Sequence, residues 1–311
     1  TGRVGGARTG ARRPDRYRGG GVSTPRAAES LRALADLTAL PVATTWRARG
    51  AFPDDSPLCL GMPGMHGNYT AVTAMQKSDL LIALGSRFDD RVTGKLAGFA
   101  PDAKIIHVDI DPAEMGKVRR PDVPLVGDCR LIIEELITAV TDLGGAKAQA
   151  DRRAWKSTLS GWQEKFPLTY DQPEEGDALK PQMVLEQLRD SAPEDCIVAS
   201  GVGQHPLWTA PYWKFHHPST FVTSGGLGTM GLAVPAPAGP RVGAPARRAS
   251  SSRCRHPCRQ TLQFRCRAAG HSAAGRRHTP PRQWPGKLPA NCALLQCAVL
   301  LQKQERLSTA V

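Results

Sequence analysis

The chain has 311 residues, of which 41% are hydrophobic and 22% charged, a composition typical of a globular protein with two domains. Its formal net charge of +13 at pH 7 comes from the ends, since residues 241–311 hold 14 Lys or Arg against one acid and residues 1–26 are also basic. Because the sequence between these ends is mildly acidic, a uniformly basic nucleic-acid-binding protein is excluded. No apolar run approaches the roughly 18 residues of a membrane-spanning helix.

The first domain is predicted from alternating strand and helix patterns. Residues 1–18 show no hydrophobic period, so they are predicted to be disordered or wrongly translated. From residue 19 onward, short apolar runs with the length of buried parallel strands alternate with helical spacing. These runs are residues 41–45, 80–84, 104–108 and 124–126. We therefore predict an α/β fold with a doubly wound parallel sheet over residues 19–141.

A second, smaller α/β unit is predicted over residues 181–235. It follows a polar segment, residues 142–180, that has the pattern of a helical linker. The unit opens with a helical pattern and continues with strands at 196–199 and 220–223. Residues 236–311 form a basic tail of Arg, Pro, Ala, Ser, Gly and Cys without periodic order.

The cysteines divide at the same point as the charge. Cys59, Cys129 and Cys196 are dispersed through the two units, which indicates a reducing compartment without a disulfide framework, so cytoplasm is the expected location. The five cysteines of the tail, with nearby histidines, invite a zinc-site interpretation. The tail lacks the paired Cys-x-x-Cys spacing of such sites, so this interpretation is weak.

Two other interpretations of the basic tail stay open. RNA binding by an Arg-rich segment is poorly supported, because few aromatic residues interleave the charges. Translation of both ends in a wrong reading frame accounts best for their Arg, Pro, Ala, Gly, Ser and Cys composition.

Glycine and charged residues follow the predicted strands at the edge where open α/β sheets bind ligands. The glycine triplet Gly19–Gly21 can bring backbone N–H groups to a phosphate. Asp109 directly follows a strand, where a carboxylate typically accepts hydrogen bonds from ribose hydroxyls. The Arg-rich loop 85–91 follows another strand; alone, it could equally be a cluster of surface ion pairs. Together these features predict a dinucleotide site.

Longer motifs carry a resemblance to one family, the acetolactate synthase (acetohydroxyacid synthase) catalytic subunits. The motifs are GMPGMHG at 61–67, RFDDRVTGK at 87–95, HVDIDP at 107–112, GVGQH at 201–205 and SGGLGTMG at 224–231. The first three resemble the central domain of that family, and the last two resemble the start of its thiamine diphosphate domain. The resemblance covers about residues 19–235. It implies an FAD-binding central domain followed by the beginning of a second α/β domain.

The resemblance implies FAD contacts, mostly at strand ends. FAD does no redox work in the main reaction of this family. Arg87 would meet the FAD pyrophosphate and Asp109 the adenosine ribose. The implied contact positions are Gly20, Thr45, Trp46, Gly64, Met65, His66, Gly85, Ser86, Arg87, Phe88, Asp89, Asp109, Ile110, Asp128 and Cys129.

The resemblance also implies a thiamine diphosphate half-site in the second unit. The matching positions are Gln204, His205, Gly228, Thr229 and Met230. Gln204 and His205 would lie beside the cofactor diphosphate, and the unbranched Met230 would wedge the cofactor into its bent form. The Gly-Asp-Gly-Ser motif that holds Mg²⁺ in the family does not follow, and no aspartate occurs after Asp195. An oxygen-ligand site for Mg²⁺ is therefore expected to be missing.

The family decarboxylates pyruvate and joins the two-carbon unit to a second 2-oxo acid, pyruvate or 2-oxobutanoate, in the biosynthesis of valine, leucine and isoleucine. Its members form homodimers or tetramers with a regulatory small subunit. Their ylide-promoting Glu lies in an N-terminal domain without a counterpart in these 311 residues. No catalytic residue is therefore predicted, and the chain alone is expected to be inactive. The alternative is a non-catalytic FAD- or nucleotide-binding remnant or pseudogene product.

Overall fold

Six short parallel strands form the first sheet of the computed structural model, which describes residues 11–23, 27–144, 152–173, 178–233, 236 and 262–263. The strands are β1 (Pro14–Arg18), β2 (Val42–Thr44), β3 (Cys59–Gly61), β4 (Leu80–Leu84), β5 (Lys104–Asp109) and β6 (Val123–Val126). Their order in the sheet is β3-β2-β1-β4-β5-β6, and every pairing is parallel. The predicted doubly wound sheet is confirmed.

Helices cover both faces of this sheet because the strands carry apolar side chains on both faces. They are α1 (Ala27–Thr38), α2 (Tyr69–Lys77), the single turn α3 (Asp90–Thr93) and α4 (Cys129–Asp142). In β4, Leu80, Ile82 and Leu84 pack in one apolar cluster with α1 and α4, whereas Leu81 and Ala83 pack in the other with α2. The carboxylate of Asp128 caps α4, since it accepts the backbone N–H groups of Arg130 and Leu131.

The segment predicted as a linker contributes to the core of the first unit. Helix α5 (Arg153–Lys165) packs against α2, and its Trp155 and Leu159 are buried in the same cluster as Leu81. Gln163 donates a hydrogen bond to the carbonyl of Cys59 at 3.2 Å. The helix was predicted, but its polar composition concealed the apolar face that joins it to the first unit.

The second unit has a three-stranded parallel sheet and two helices among the described residues. Its elements are α6 (Pro181–Ser191), β7 (Val198–Ser200), α7 (Gln204–Tyr212), β8 (Phe221–Thr223) and β9 (Leu262–Gln263), and the strand order is β8-β7-β9. Strand β9 lies in the segment 236–311, where no strand was predicted, and the other residues of the tail, apart from 236, lie outside the described ranges. None of the helices described here has the length and apolar character required to cross a membrane.

The most consequential difference from prediction is the central strand β1. It lies within residues 1–18, for which disorder was predicted, yet it pairs with β2 on one side and β4 on the other. The strand was not recognised in the sequence because Asp15, Arg16 and Arg18 interrupt any apolar run. All three side chains are nevertheless 0% exposed. The boundary of the first domain therefore moves toward the N-terminus to include Pro14–Arg18.

The three buried ionisable side chains of β1 differ in their hydrogen-bond partners. Arg16 donates hydrogen bonds to the carbonyl of Leu34 at 3.0 Å and to the hydroxyl of Thr38. Within the described ranges, no guanidinium nitrogen of Arg18 has a hydrogen-bond partner, and the group lies 6.0 Å from the Phe52 ring centroid. Burial raises the pKa of Asp15 to about 8. A buried charge without full compensation is destabilising, so the Arg18 charge lowers the free energy of unfolding of the domain that β1 completes.

We expect Asp15→Asn to stabilise the protein, with a gain that grows as pH rises. The folded chain binds the Asp15 proton up to a pKa of about 8, whereas the unfolded chain releases it near 3.8. The contribution of Asp15 to the wild-type free energy of unfolding therefore decreases as the pH rises through this interval. The uncharged amide removes this loss. Urea denaturation of both proteins from pH 5 to pH 8 measures the difference.

The matched control is Asp102→Asn, because Asp102 is exposed. Its free energy of unfolding should stay within about 0.5 kcal/mol of wild type at every pH, as is usual for surface substitutions. A constant difference between Asp15→Asn and wild type over this pH range would contradict the argument.

Candidate functional site

A cavity of about 730 Å³ lies at the carboxyl ends of the parallel strands, a volume within the range of small-molecule sites. The strand order reverses between β1 and β4, and residues that follow both strands line the cavity. Open α/β sheets bind their ligands at such a reversal point. The fold therefore locates the candidate site independently of any motif.

Ten of the fifteen positions predicted for FAD line this cavity. They are Gly20, Thr45, Trp46, Met65, His66, Gly85, Ser86, Arg87, Asp89 and Asp109. The other five, which do not line it, are Gly64, Phe88, Ile110, Asp128 and Cys129. The structure thus brings together most of the predicted positions from five separate segments of the chain.

Two glycines of the triplet pack directly on the backbone of Gly85. The N–H of Gly19 donates to the carbonyl of Leu84 at 3.0 Å, and that of Gly21 donates to the carbonyl of Gly85 at 3.1 Å. A methyl group on Gly21 would lie 2.7 Å from the Gly85 Cα, and one on Gly19 would overlap the Gly85 carbonyl. Gly19 and Gly21 are therefore required by backbone packing, and Gly20 is the member of the triplet that faces the side chain of Arg47.

The Arg87 guanidinium is held beside the cavity by Asp89. The two side chains form an ion pair, and the Asp89 carboxylate also accepts the backbone N–H of Arg91 at 3.0 Å. Partial burial acts to raise the pKa of Asp89, but the Arg91 N–H and the Arg87 charge outweigh it and hold that pKa below its usual value. Because the Arg87 side chain is 58% exposed, it can still reach a ligand.

The GMPGMHG loop rests on the same segment. The Met65 N–H donates to the carbonyl of Arg91 at 2.8 Å. Gly64 has a φ of +105°, and a methyl group there would lie 2.7 Å from that carbonyl oxygen. Gly64 is thus a packing residue, and its position leaves the exposed side chains of Met65 and His66 at the cavity.

Other predicted contacts that do not line the cavity have structural roles nearby. Phe88 is buried, with its ring 5.6 Å from that of Tyr17 and 4.9 Å from that of His107. The His107 ring in turn bonds to the carbonyl of Ser86 at 2.8 Å, which supports the loop that carries Arg87. Cys129, next to the capping Asp128, is buried in the apolar cluster under α4, and burial raises its pKa to about 12.

The five positions predicted for thiamine diphosphate lie outside the cavity. Gln204 is exposed in the first turn of α7, and next to it His205 is buried, which lowers its pKa to about 4. Gly228–Met230 form an exposed turn in which the Gly228 N–H donates to the Ser224 carbonyl at 2.8 Å. Among the described residues, no group of three His, Cys, Asp or Glu side chains could hold a metal ion. The tail cysteines considered for zinc lie outside those residues.

Thirteen further residues line the cavity. They are Tyr17, Gly19, Gly21, Arg47, Met62, Pro63, Arg91, Val92, Asp111, Glu114, Leu207, Gly225 and Gly226. Three of them, Gly19, Gly21 and Arg91, lie in the glycine triplet and the Arg-rich loop from which the dinucleotide site was predicted, and sequence reasoning missed the other ten. Several belong to motifs already recognised, so extending those motifs by one or two positions would have found them. Leu207, Gly225 and Gly226 come from the second unit, and no local pattern indicates that they reach the first.

The second unit docks on a buried ion pair of the first unit, formed by Arg49 and Asp54. Arg49 is 4% exposed, donates to the carbonyl of Ala210 at 2.9 Å and lies over the Phe215 ring. The Asp54 carboxylate accepts the backbone N–H of Phe215 at 2.8 Å. Gly50, with a φ of +83°, has no room for a side chain beside the carbonyl of His217. This contact holds Gly225 and Gly226 at the cavity wall.

Comparison with known proteins agrees with this architecture. The model of the thiamine pyrophosphate enzyme central domain matches residues 9–136, and the model of the C-terminal TPP binding domain matches residues 201–251. The chain belongs to the thiamine pyrophosphate enzyme family. The matched residues include β1, in agreement with the corrected domain boundary, and they extend beyond the interval 19–235 at both ends.

Three relatives illustrate the similarity. The chain is 51% identical over 237 residues to an acetolactate synthase of Mycobacterium bovis and 51% over 236 residues to the acetolactate synthase large subunit of Corynebacterium glutamicum. It is 43% identical over 235 residues to a chloroplastic acetolactate synthase of Nicotiana tabacum. Each alignment covers 76% of this chain but only 38%, 37% and 35% of these relatives, respectively. The chain thus spans well under half the length of each.

We expect Asp54→Ala to destabilise the protein by about 3–5 kcal/mol, because it leaves the buried Arg49 charge without its partner. The neighbouring Asp55→Ala is the matched control. The Asp55 side chain is 68% exposed and faces His216 at 3.4 Å, so its loss should change the free energy of unfolding by less than about 1 kcal/mol. Urea denaturation measures both values, and equal effects would rule out a stabilising role for the buried pair.

Proposed function

We propose that the cavity binds FAD and that the chain forms the central part of an acetolactate synthase catalytic polypeptide. One observation carries the proposal. The residues of the family motifs converge on a single cavity at the strand-order reversal, with Gly20, Arg87 and Asp109 among its walls. The similarity to acetolactate synthases of bacteria and a plant supports it.

The chemistry of the cavity fits FAD. Gly20 allows close approach of a phosphate to the backbone, and the exposed Arg87 guanidinium can donate to the pyrophosphate. Asp109 lies at the end of β5, where a carboxylate can accept hydrogen bonds from ribose hydroxyls. The residues of the cavity would bind and orient FAD, and FAD would take no part in a redox step.

The fit to thiamine diphosphate is partial. When bound, this cofactor supplies the electron sink for decarboxylation and carbon–carbon bond formation. Gln204 offers an exposed amide, and His205 is neutral at pH 7 because burial lowers its pKa to about 4. Mg²⁺ does not fit, because no aspartate follows Asp195 in the sequence to supply the family's metal carboxylate.

The wider biology follows from the same proposal. The substrates would be pyruvate and 2-oxobutanoate, in branched-chain amino acid biosynthesis. The designation of the Corynebacterium glutamicum relative as a large subunit supports assembly with a small subunit. We expect dimers or tetramers, and a regulatory role for that subunit, from the family resemblance. Free thiols at Cys59, Cys129 and Cys196 and similarity to bacterial enzymes support a cytoplasmic location.

We expect the purified chain to quench FAD fluorescence on titration, and Arg87→Ala to weaken binding by about 1–3 kcal/mol, the usual effect of losing one charged hydrogen-bonding partner. Arg120→Ala is the control, since Arg120 is exposed and does not line the cavity. Its dissociation constant should equal that of wild type. Failure of the wild-type chain to bind FAD would reject the proposed cofactor.

We expect the 311-residue chain by itself to make no acetolactate from pyruvate with FAD, thiamine diphosphate and Mg²⁺ supplied. Without a metal carboxylate, the proposed contacts of the cofactor diphosphate among the described residues would be the neutral side chains of Gln204 and His205. A colorimetric acetolactate assay, with the Corynebacterium glutamicum enzyme as positive control, measures this. Turnover above the enzyme-free background would disprove the expectation while leaving the FAD proposal intact.

A further inference from the structure

The backbone of the turn that carries the cavity residue Arg47 is held by two hydrogen bonds. Arg47 lies in the single turn Trp46–Ala48 directly after β2. The carbonyl of Arg47 accepts the hydroxyl of Ser23 at 2.7 Å, and the N–H of Thr45 donates to the carbonyl of Arg18 at 2.9 Å. The turn is therefore anchored to the segment that carries the glycine triplet, and the base of the Arg47 side chain has a defined position.

The side chain runs between glycines of the two units. A methyl group on Gly20 would lie 3.4 Å from the Arg47 Cβ and 3.7 Å from its Nε. One on Gly225 would lie 3.6 Å from the Arg47 Cγ, and one on Gly226 would lie 3.7 Å from its Nη1. Since glycine has no side chain to obstruct it, the Arg47 guanidinium stands in the cavity between the glycine triplet and the second unit.

The charge of Arg47 is uncompensated within the part of the chain that the structure describes. No ion pair or side-chain hydrogen bond of Arg47 occurs there, whereas the neighbouring Arg87 is paired with Asp89. The acids of the cavity wall have other partners. Asp109 and Asp111 accept backbone N–H groups, and Glu114 pairs with Lys117 at 2.7 Å. An unpaired guanidinium beside a glycine loop attracts an anion.

We propose that Arg47 binds a phosphate group of the cavity's ligand and makes the cavity select phosphorylated ligands over uncharged ones. The inference rests on the proposed FAD function, because FAD is the ligand for which selection is expected. It adds a specificity-determining residue that the family motifs do not contain. The planar fork of Arg47 matches two phosphate oxygens, a geometry that lysine does not reproduce.

The experiment titrates wild type, Arg47→Met and Arg47→Lys with three ligands: FAD, ADP and riboflavin. Methionine keeps an unbranched stem of similar length and removes the charge. Arg47→Met should weaken FAD and ADP binding about 10- to 100-fold and leave riboflavin binding unchanged, as expected for one charged hydrogen-bonding group. Arg47→Lys should retain part of the affinity. The exposed Arg120→Met is the matched control and should match wild type for all three ligands.

The outcomes separate this inference from the proposed function. Wild type that binds ADP in an Arg47-dependent way but does not bind FAD would reject the FAD proposal and retain the phosphate site. If wild type and Arg47→Met bind FAD with equal affinity, only the proposed role of Arg47 is rejected. Equal loss of riboflavin and FAD binding would show that the side chain acts through packing, which also overturns the inference. Binding of none of the ligands overturns both. Urea midpoints of all variants verify folding.

Discussion

Backbone contact between the glycine triplet and Gly85 is the constraint on which the site depends. A methyl group on Gly85 would lie 2.6 Å from the Gly21 Cα, and its φ of +59° already favours glycine. The carboxyl ends of β1 and β4 can approach only because neither carries a side chain at this point. The loops that follow these strands then meet, and the cavity is the space they enclose with the second unit. Its dimensions are thus set by residues that need not contact the ligand themselves.

The strand that leads into the triplet also buries three ionisable side chains, Asp15, Arg16 and Arg18. Arg16 faces Val42 on one side and Ile82 on the other in the pairing register, and Arg18 faces Thr44 and Leu84. Apolar side chains would ordinarily fill these positions in a sheet covered on both faces. Main-chain hydrogen bonds to two neighbours hold β1 in place against the burial of its own charges. Because β1 leads directly into Gly19, local opening of the strand would disassemble the cavity before the rest of the domain unfolds.

Features of the fold that depend on neighbouring residues were largely predicted from the sequence. Features that depend on contacts between distant residues were not. The apolar run of β4 consists of five adjacent residues, Leu80–Leu84, so this strand was predicted correctly. Strand β1 was missed because its identity comes from pairing with distant strands. The RFDDRVTGK motif located the right loop, but a motif cannot distinguish Arg87, which lines the cavity, from Phe88, which packs behind it. The contribution of Gly225 and Gly226 required knowledge of how the two units dock.

Docking and ligand binding are consequently linked. Trp46 donates from its indole to the Thr223 hydroxyl at 3.3 Å, and the adjacent Arg47 extends toward Gly226, so one short turn of the first unit contacts both the second unit and the cavity. The cavity wall includes Gly225 and Gly226 of the second unit, and the Arg49–Asp54 pair provides contacts that hold this unit in place. A ligand that contacts both walls binds the docked arrangement more tightly than any separated one. Because binding and docking are thermodynamically linked, docking strengthens ligand binding by a certain free energy. Ligand binding stabilises docking by the same amount. The buried ion pair, although outside the cavity, is therefore part of the binding site in the thermodynamic sense.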